Sequence, residues 1–320
     1  MAGQVFAYIR HHDGKAEDSA LELVNAAKKI AGGAAVTAIV AGSGIDSLCA
    51  EMAASYKDVW KLDNSALAYP NAEVIRKALV NILPANAVVL VPHDTFGMDL
   101  SPGLSIKMGS PFVADIVDVE ADGDVLKIVR QEYSGQAHTH VECNMSAGAV
   151  INVRPGVFQP DESKSAGGSV TDKSAAVGDL TCGRKYLEVV AAEAGDVDIT
   201  KSDVLVSIGR GIEEEDNIPI AQELADAMGA VVSCSRPIVD AKWLEKARQV
   251  GTSGQTVKPK VYMAMGISGS FQHLGGIKGN PFIVAVNKNP KAPIFQVADV
   301  GVEANILEFM PSLTEAIKAL

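Results

Sequence analysis

Between residues 204 and 290, four apolar runs each lead into a group suited to holding an anion. VSIG (206–209) leads into Arg210-Gly211, and VVSC (231–234) into Ser235-Arg236. YMAMG (262–266) leads, after one isoleucine, into Ser268-Gly269, and FIVAV (282–286) into Asn287-Lys288. A Gly/Ser stretch, QVGTSGQ (249–255), precedes the third run, and GISGSFQHLGG (266–276) follows it. As parallel strands, these runs would set their terminal groups along one carboxyl edge, where open α/β sheets bind ligands. Backbone N–H groups of a glycine-rich turn at a helix start favour phosphate, and arginines add permanent charge. The chemistry is that of gripping a long, phosphate-bearing ligand. No acid–base pair or nucleophile stands out, and Ser268 has no His–Asp partner by spacing.

GISGSFQHLGG is neither GxGxxG nor GxxxxGK[ST]. Alone, it fits a tight strand–helix turn as well as a ligand cradle. Arginine after two other runs shifts the balance, above all Arg236, which follows VVSCS and precedes a proline. His273 reads either as a ligand donor or as a capping or packing histidine. The four cysteines (Cys49, Cys143, Cys182, Cys234) form no CxxC, so they give neither a local metal motif nor a disulfide framework and read as reduced thiols. His11-His12 and His138-x-His140 sit in no HExxH, and no metal is expected. Glu213 to Asp216 read as a solvated acidic run at a helix start, and Trp60 and Trp243 as packing residues. Tyr133, Gly135 and His138 are candidates for a subunit interface.

The elements that position these groups follow from the apolar pattern. Of 320 residues, 48% are hydrophobic and 5% aromatic, the aliphatic-rich balance of parallel strands covered on both faces. Strand-like QVFAYI (4–9), AVTAIV (35–40), VWKL and AVVLVP (87–92) alternate with helical spacing at 18–30, 45–55 and 71–82, which predicts a mostly parallel sheet. From 111, PFVADIVDVE, VLKIVRQEY and GAVINVR add strands, partly antiparallel, with a turn at 121–124. Residues 155–185, rich in Gly, Ser, Asp and Lys, read as a connector. Four runs and helices at 217–228, 239–248 and 268–277 then predict a second, smaller doubly wound sheet. The expected domains are 1–195 and 196–320. A net charge of −11 argues against a nucleic-acid groove, and no run nears the ~20 apolar residues of a membrane span. The N-terminus enters a strand-like run with no signal-peptide pattern, so a cytoplasmic, bacterial protein is expected.

The blocks SIGRGI (207–212), CSRPIVDA (234–241), QVGTSG (249–254), GISGSFQH (266–273) and VAVNKNPKAPIFQVAD (284–299) resemble the α-subunit of electron transfer flavoprotein. The N-terminal part resembles that family's first domain more loosely, through VLVPH, SPGLSIKMGSPFVADIVDV and INVRPGVF. The resemblance implies a heterodimer with a β-subunit and FAD held in the C-terminal domain. By motif, it assigns FAD contacts to Arg210, Ser235, Arg236, Val250, Gly251, Thr252, Ser253, Ser268, Gly269, Ser270, Phe271, Gln272, His273, Asn287, Asn305 and Ile306. Arg236 would lie over the flavin ring, His273 would donate near C2=O, and Ser253 would reach N5. Gly269 and its neighbours would admit the ribityl and pyrophosphate, with Asn287 and Asn305 at the adenosine end. Reduction builds negative charge on the ring, so a cation or donor there stabilises the reduced states. Thr252, Gln255 and Asn305 replace the Gln, Lys and acidic residue common in the family, which bears on the potential.

The resulting reading is an electron carrier, taking electrons from a dehydrogenase to an acceptor such as a quinone reductase. Its FAD domain would move about a hinge at 190–200. The alternatives are a module for NAD or a thiamine-type cofactor, and a flavin-free structural subunit.

Overall fold

Val5–Tyr8 (β1) is buried along its whole length, as a strand covered on both faces must be. In a computed structural model, which describes residues 4–133, 137–188 and 197–319, it lies at the centre of a sheet. The chain divides into two units, residues 1–187 and 188–320. The expected boundary at 195/196 and much of the expected hinge fall on residues 189–196, outside the described residues.

The first unit continues with a two-residue ribbon, β2 (His11–His12) and β3 (Lys15–Ala16), and then alternates. Its elements are α1 (Ser19–Ala31), β4 (Val36–Gly42), α2 (Asp46–Met52), β5 (Asp58–Asp63), α3 (Ala72–Ile82), β6 (Val88–Pro92) and α4 (Thr95–Met108). There follow β7 (Phe112–Asp122), β8 (Val125–Glu132), β9 (Ala137–Asn144), β10 (Ala149–Val153) and β11 (Ser169–Asp172). Among the described residues these build a nine-stranded sheet in the order β11-β5-β4-β1-β6-β10-β7-β8-β9. It is parallel except at β7–β8 and β8–β9, in keeping with the partly antiparallel expectation. Two apolar layers, one on each face, make the core.

The second unit holds β12 (Val204–Ile208), α5 (Ile218–Met228), β13 (Val231–Cys234), α6 (Arg236–Asp240), β14 (Val261–Met265) and α7 (Phe271–Leu274). It closes with β15 (Phe282–Asn287), β16 (Val300–Glu303) and α8 (Ile306–Lys318). The sheet is parallel throughout, in the order β13-β12-β14-β15-β16. One face packs Val206, Ile208, Met263 and Met265 against α5 and α8. The other packs Leu205, Tyr262 and Ala264 with Val250, Ile267 and Ile294. The split follows from the alternation of side chains along a strand.

Several expectations are corrected. Residues 155–185 are not a bare connector. β11 pairs in parallel with β5, from Ser169↔Asp58 to Asp172↔Lys61, while Phe158 and Val177 are buried and Asn81 donates to the Val177 carbonyl at 2.7 Å. A polar segment can fold this way because the sheet edge supplies its hydrogen bonds, so two apolar anchors suffice. The second sheet has a fifth strand, β16, beyond the four expected. The helices expected at 239–248 and 268–277 shrink to α6, of five residues, and α7, of four. Helices α4 and α8 were not anticipated, since each carries an internal proline, Pro102 and Pro311. Of the interface candidates, Tyr133 is exposed at 78% and His138 is exposed; Gly135 lies outside the described residues.

Candidate functional site

The order of the second sheet fixes where a site can form. The chain starts in β12, steps outward to β13, and then crosses to the opposite side as β14. The connections that follow β12 and β14 therefore leave in opposite directions, and a crevice can form between them. Those loops cross at two glycines. Gly266 has φ +66°, and a Cβ on it would lie 2.7 Å from the Gly211 Cα and 3.0 Å from the Ile306 side chain. No other residue fits that crossing without moving it. Gly211 N–H donates to the Gly266 carbonyl at 3.2 Å, and Gly266 N–H to Val286 at 2.8 Å, which ties three strand ends together.

A cavity of about 700 Å³ opens over this crossing, within the range of cofactor sites. Of the sixteen residues expected from sequence, all but Gly269 and Phe271 line it. Gly269 instead packs on the backbone of Ile294, and the Phe271 side chain is half exposed. The lining also includes Lys288 and Gln249, which the strand-end and Gly/Ser groups had marked without assigning a cofactor contact, and Asp240, which had not stood out. A spacing signal was present for Asp240, four residues beyond Arg236.

The charges are paired but not cancelled. Arg236, the first residue of α6, reaches Asp240 at 3.3 Å, with both side chains more than 60% exposed. Lys288 reaches Glu213 at 2.7 Å, so that part of the acidic run is tied to the cavity rim rather than merely solvated. Arg210 lies on the rim with them. Ser235 is buried at the N-cap of α6, yet its hydroxyl caps nothing, which leaves it available to a ligand. Because α6 and α7 are so short, little macrodipole accumulates at their starts. Of the helices bordering the cavity, the long one is α8, whose Asn305 and Ile306 form part of the lining. An anion in this cavity would meet Arg210, Arg236 and Lys288 rather than the start of a long helix after Gly269.

Other polar groups shape the walls. Asn287 donates to the Ile267 carbonyl at 2.9 Å and accepts from Asn289 N–H at 2.9 Å, so both ends of its amide hold loops in place. Asn305 caps α8, accepting from Leu307 N–H at 3.1 Å. Buried Gln249 donates to the Ser253 hydroxyl at 2.9 Å. Thr252 N–H bonds the Gln272 carbonyl at 2.8 Å and so joins the two Gly/Ser loops. His273 is 5% exposed, with Nε2 2.8 Å from the Tyr262 hydroxyl. Burial lowers its pKa to about 4, against a weaker upward pull from the Val250 backbone. It is a neutral imidazole at pH 7, so the positive charge at the site belongs to Arg210, Arg236 and Lys288.

Comparison with known proteins matches residues 198–278 to the electron transfer flavoprotein FAD-binding domain and residues 5–177 to the electron transfer flavoprotein domain. The electron transfer flavoprotein subunit alpha of Methylophilus methylotrophus is 35% identical over 323 residues, covering 99% of each chain. That of Syntrophomonas wolfei is 34% identical, covering 99% of this chain and all of the relative. That of Bacillus subtilis is 32% identical over 314 residues, covering 96% and 95%. FAD is thus the cofactor class of the second domain, in place of NAD or a thiamine-type group. Among the described residues, no helix is long and apolar enough to cross a membrane.

Proposed function

Because the chain belongs to the electron transfer flavoprotein α-subunit family, we propose that it pairs with a β-subunit and holds FAD in the cavity over the β12–β14 crossing. There it carries electrons from a dehydrogenase to an acceptor such as a quinone reductase. The observation that carries this reading is the cavity itself. It joins three rim cations, a buried serine hydroxyl that caps nothing, and the buried, neutral His273 imidazole. A dinucleotide with a pyrophosphate and a carbonyl-rich ring meets each of these needs. FAD, when bound, supplies reversible one- and two-electron chemistry.

The chain's own residues do the rest. Arg210 and Lys288 offset pyrophosphate charge, and Arg236 offsets negative charge that builds on the ring. His273 offers a neutral donor, Ser235 and Ser253 offer hydroxyls, and the Gly211–Gly266 crossing lets backbone approach. With four free cysteines among the described residues, a reducing cytoplasm is the fitting compartment. The test is to co-express the chain with its β-partner, record the visible spectrum, and measure both one-electron potentials for wild type and Arg236→Ala. A yellow complex whose potentials fall in the variant supports the reading. A colourless complex refutes the carrier role and leaves a flavin-free subunit.

A further inference from the structure

The strand order sets the cavity lining out as a row: Arg236 after β13, Arg210 after β12, Ser268 after β14, Asn287 after β15 and Asn305 after β16. At ~4.8 Å between neighbouring strands, the β13 and β16 ends lie about 19 Å apart. With the flavin ring at Arg236, as proposed above, the adenine of the same dinucleotide falls at the β16 end. Ile267, Ala292, Pro293, Ala304 and Ile306 line that end and suit the faces of a flat base. The edge of the base is left to the polar side chains among them.

Three asparagines line this end, and all three spend the side-chain oxygen in the same way. Asn287 accepts from Asn289 N–H at 2.9 Å, Asn289 from Lys291 N–H at 3.0 Å, and Asn305 from Leu307 N–H at 3.1 Å. Because a backbone N–H only donates, these bonds fix which end of each amide is the oxygen. The Nδ2 of Asn287 is spent as well, on the Ile267 carbonyl at 2.9 Å. Among the described residues, no hydrogen bond engages the Nδ2 of Asn289 or Asn305. Asn289 is exposed, whereas Asn305 is half-buried at the start of α8. An asparagine with its whole amide free grips adenine twice, donating to N7 and accepting from the 6-amino group. The oxygen of Asn305 is turned to the helix backbone, so the end left for a ligand is the donor.

We propose that Asn305 is a specificity-determining residue that reads the base through a ring-nitrogen acceptor and not through its 6-amino group. The site therefore admits flavin dinucleotides whose purine lacks that group. This inference rests on the FAD reading above and names the part of the base that the β16 end recognises.

The test is a fluorescence titration of the flavin-stripped complex with its β-partner, using FAD and its 6-deamino analogue, in which purine replaces adenine. In wild type the two dissociation constants should agree within about threefold, whereas losing an amino group that is read costs about tenfold or more. Asn305→Asp keeps the cap and turns the free end from donor to acceptor, so it should favour FAD over the analogue by about tenfold. Asn305→Ser keeps a capping oxygen but has no amide. It should bind both dinucleotides more weakly by the same factor, with the thermal midpoint of the ligand-free complex held. A wild-type preference for FAD as large as that expected of Asn305→Asp overturns the proposal. So does an Asn305→Asp ratio equal to that of wild type, which would leave Asn305 a cap alone. If wild type binds neither dinucleotide, the FAD reading falls, and this inference with it.

Discussion

Arg236 and His273 divide the electrostatic work at the site, and each gives a measurable outcome. Arg236 is exposed and already paired with Asp240, so its contribution to binding is screened. Arg236→Ala should weaken FAD binding by about tenfold, the equivalent of ~1.4 kcal/mol, in a fluorescence titration of the stripped complex. His273 acts through burial. Between pH 6.5 and about 4 the unfolded chain binds a proton there that the folded chain refuses, so stability falls as pH falls through that window. The full effect is roughly 3 kcal/mol at ~1.4 kcal/mol per pH unit. Denaturant midpoints of the second unit should therefore drop from pH 7 to pH 4.5 in wild type, and less steeply in His273→Gln. An equal slope in both would place the acid sensitivity elsewhere. The sequence displayed the residue types well, because SRP and GSFQH follow strand ends where ligands bind and GTSG is a Gly/Ser loop beside them. It hid the partners: Tyr262 reads as one more apolar strand residue in VYMAM, and only the sheet register brings it under His273.

At the scale of elements, α8 couples stability to the site. Asn305 caps its first turn and Ile306 lines the cavity. Asn305→Ala should cost about 1 kcal/mol and loosen FAD, whereas Asn305→Asp should keep the cap and gain from the helix dipole. Thermal unfolding of both variants, with and without FAD, checks this. Gly266→Ala should be worse, since it meets the Gly211 backbone and adopts a disfavoured φ. A loss of about 1–3 kcal/mol together with loss of the flavin spectrum is expected. The strands were legible because continuous apolar runs of four to seven residues have few alternatives in an aliphatic-rich chain. The missed helices have local causes. Pro102 and Pro311 interrupt the helical pattern of α4 and α8, and both helices are held by packing that propensity cannot see. The two overestimated helices, α6 and α7, stop where the chain must turn back to form the cavity wall.

For the whole molecule, the alternation of apolar runs disclosed two parallel sheets, but composition misjudged residues 155–185. Polar content suggested a tether, whereas β11, Phe158 and Val177 make that stretch the outer margin of the first sheet. This bears on dissection. A scissile point chosen from composition, just after the β10 strand near residue 154, would amputate an edge strand and two buried anchors worth roughly 1.5–3 kcal/mol each. An excised fragment of residues 1–187 should melt about 10 °C or more above one ending at 154, and calorimetry of the pair would show it. The natural incision, for a protease or for a molecular biologist, therefore lies some thirty residues downstream of where the amino acids first turn polar.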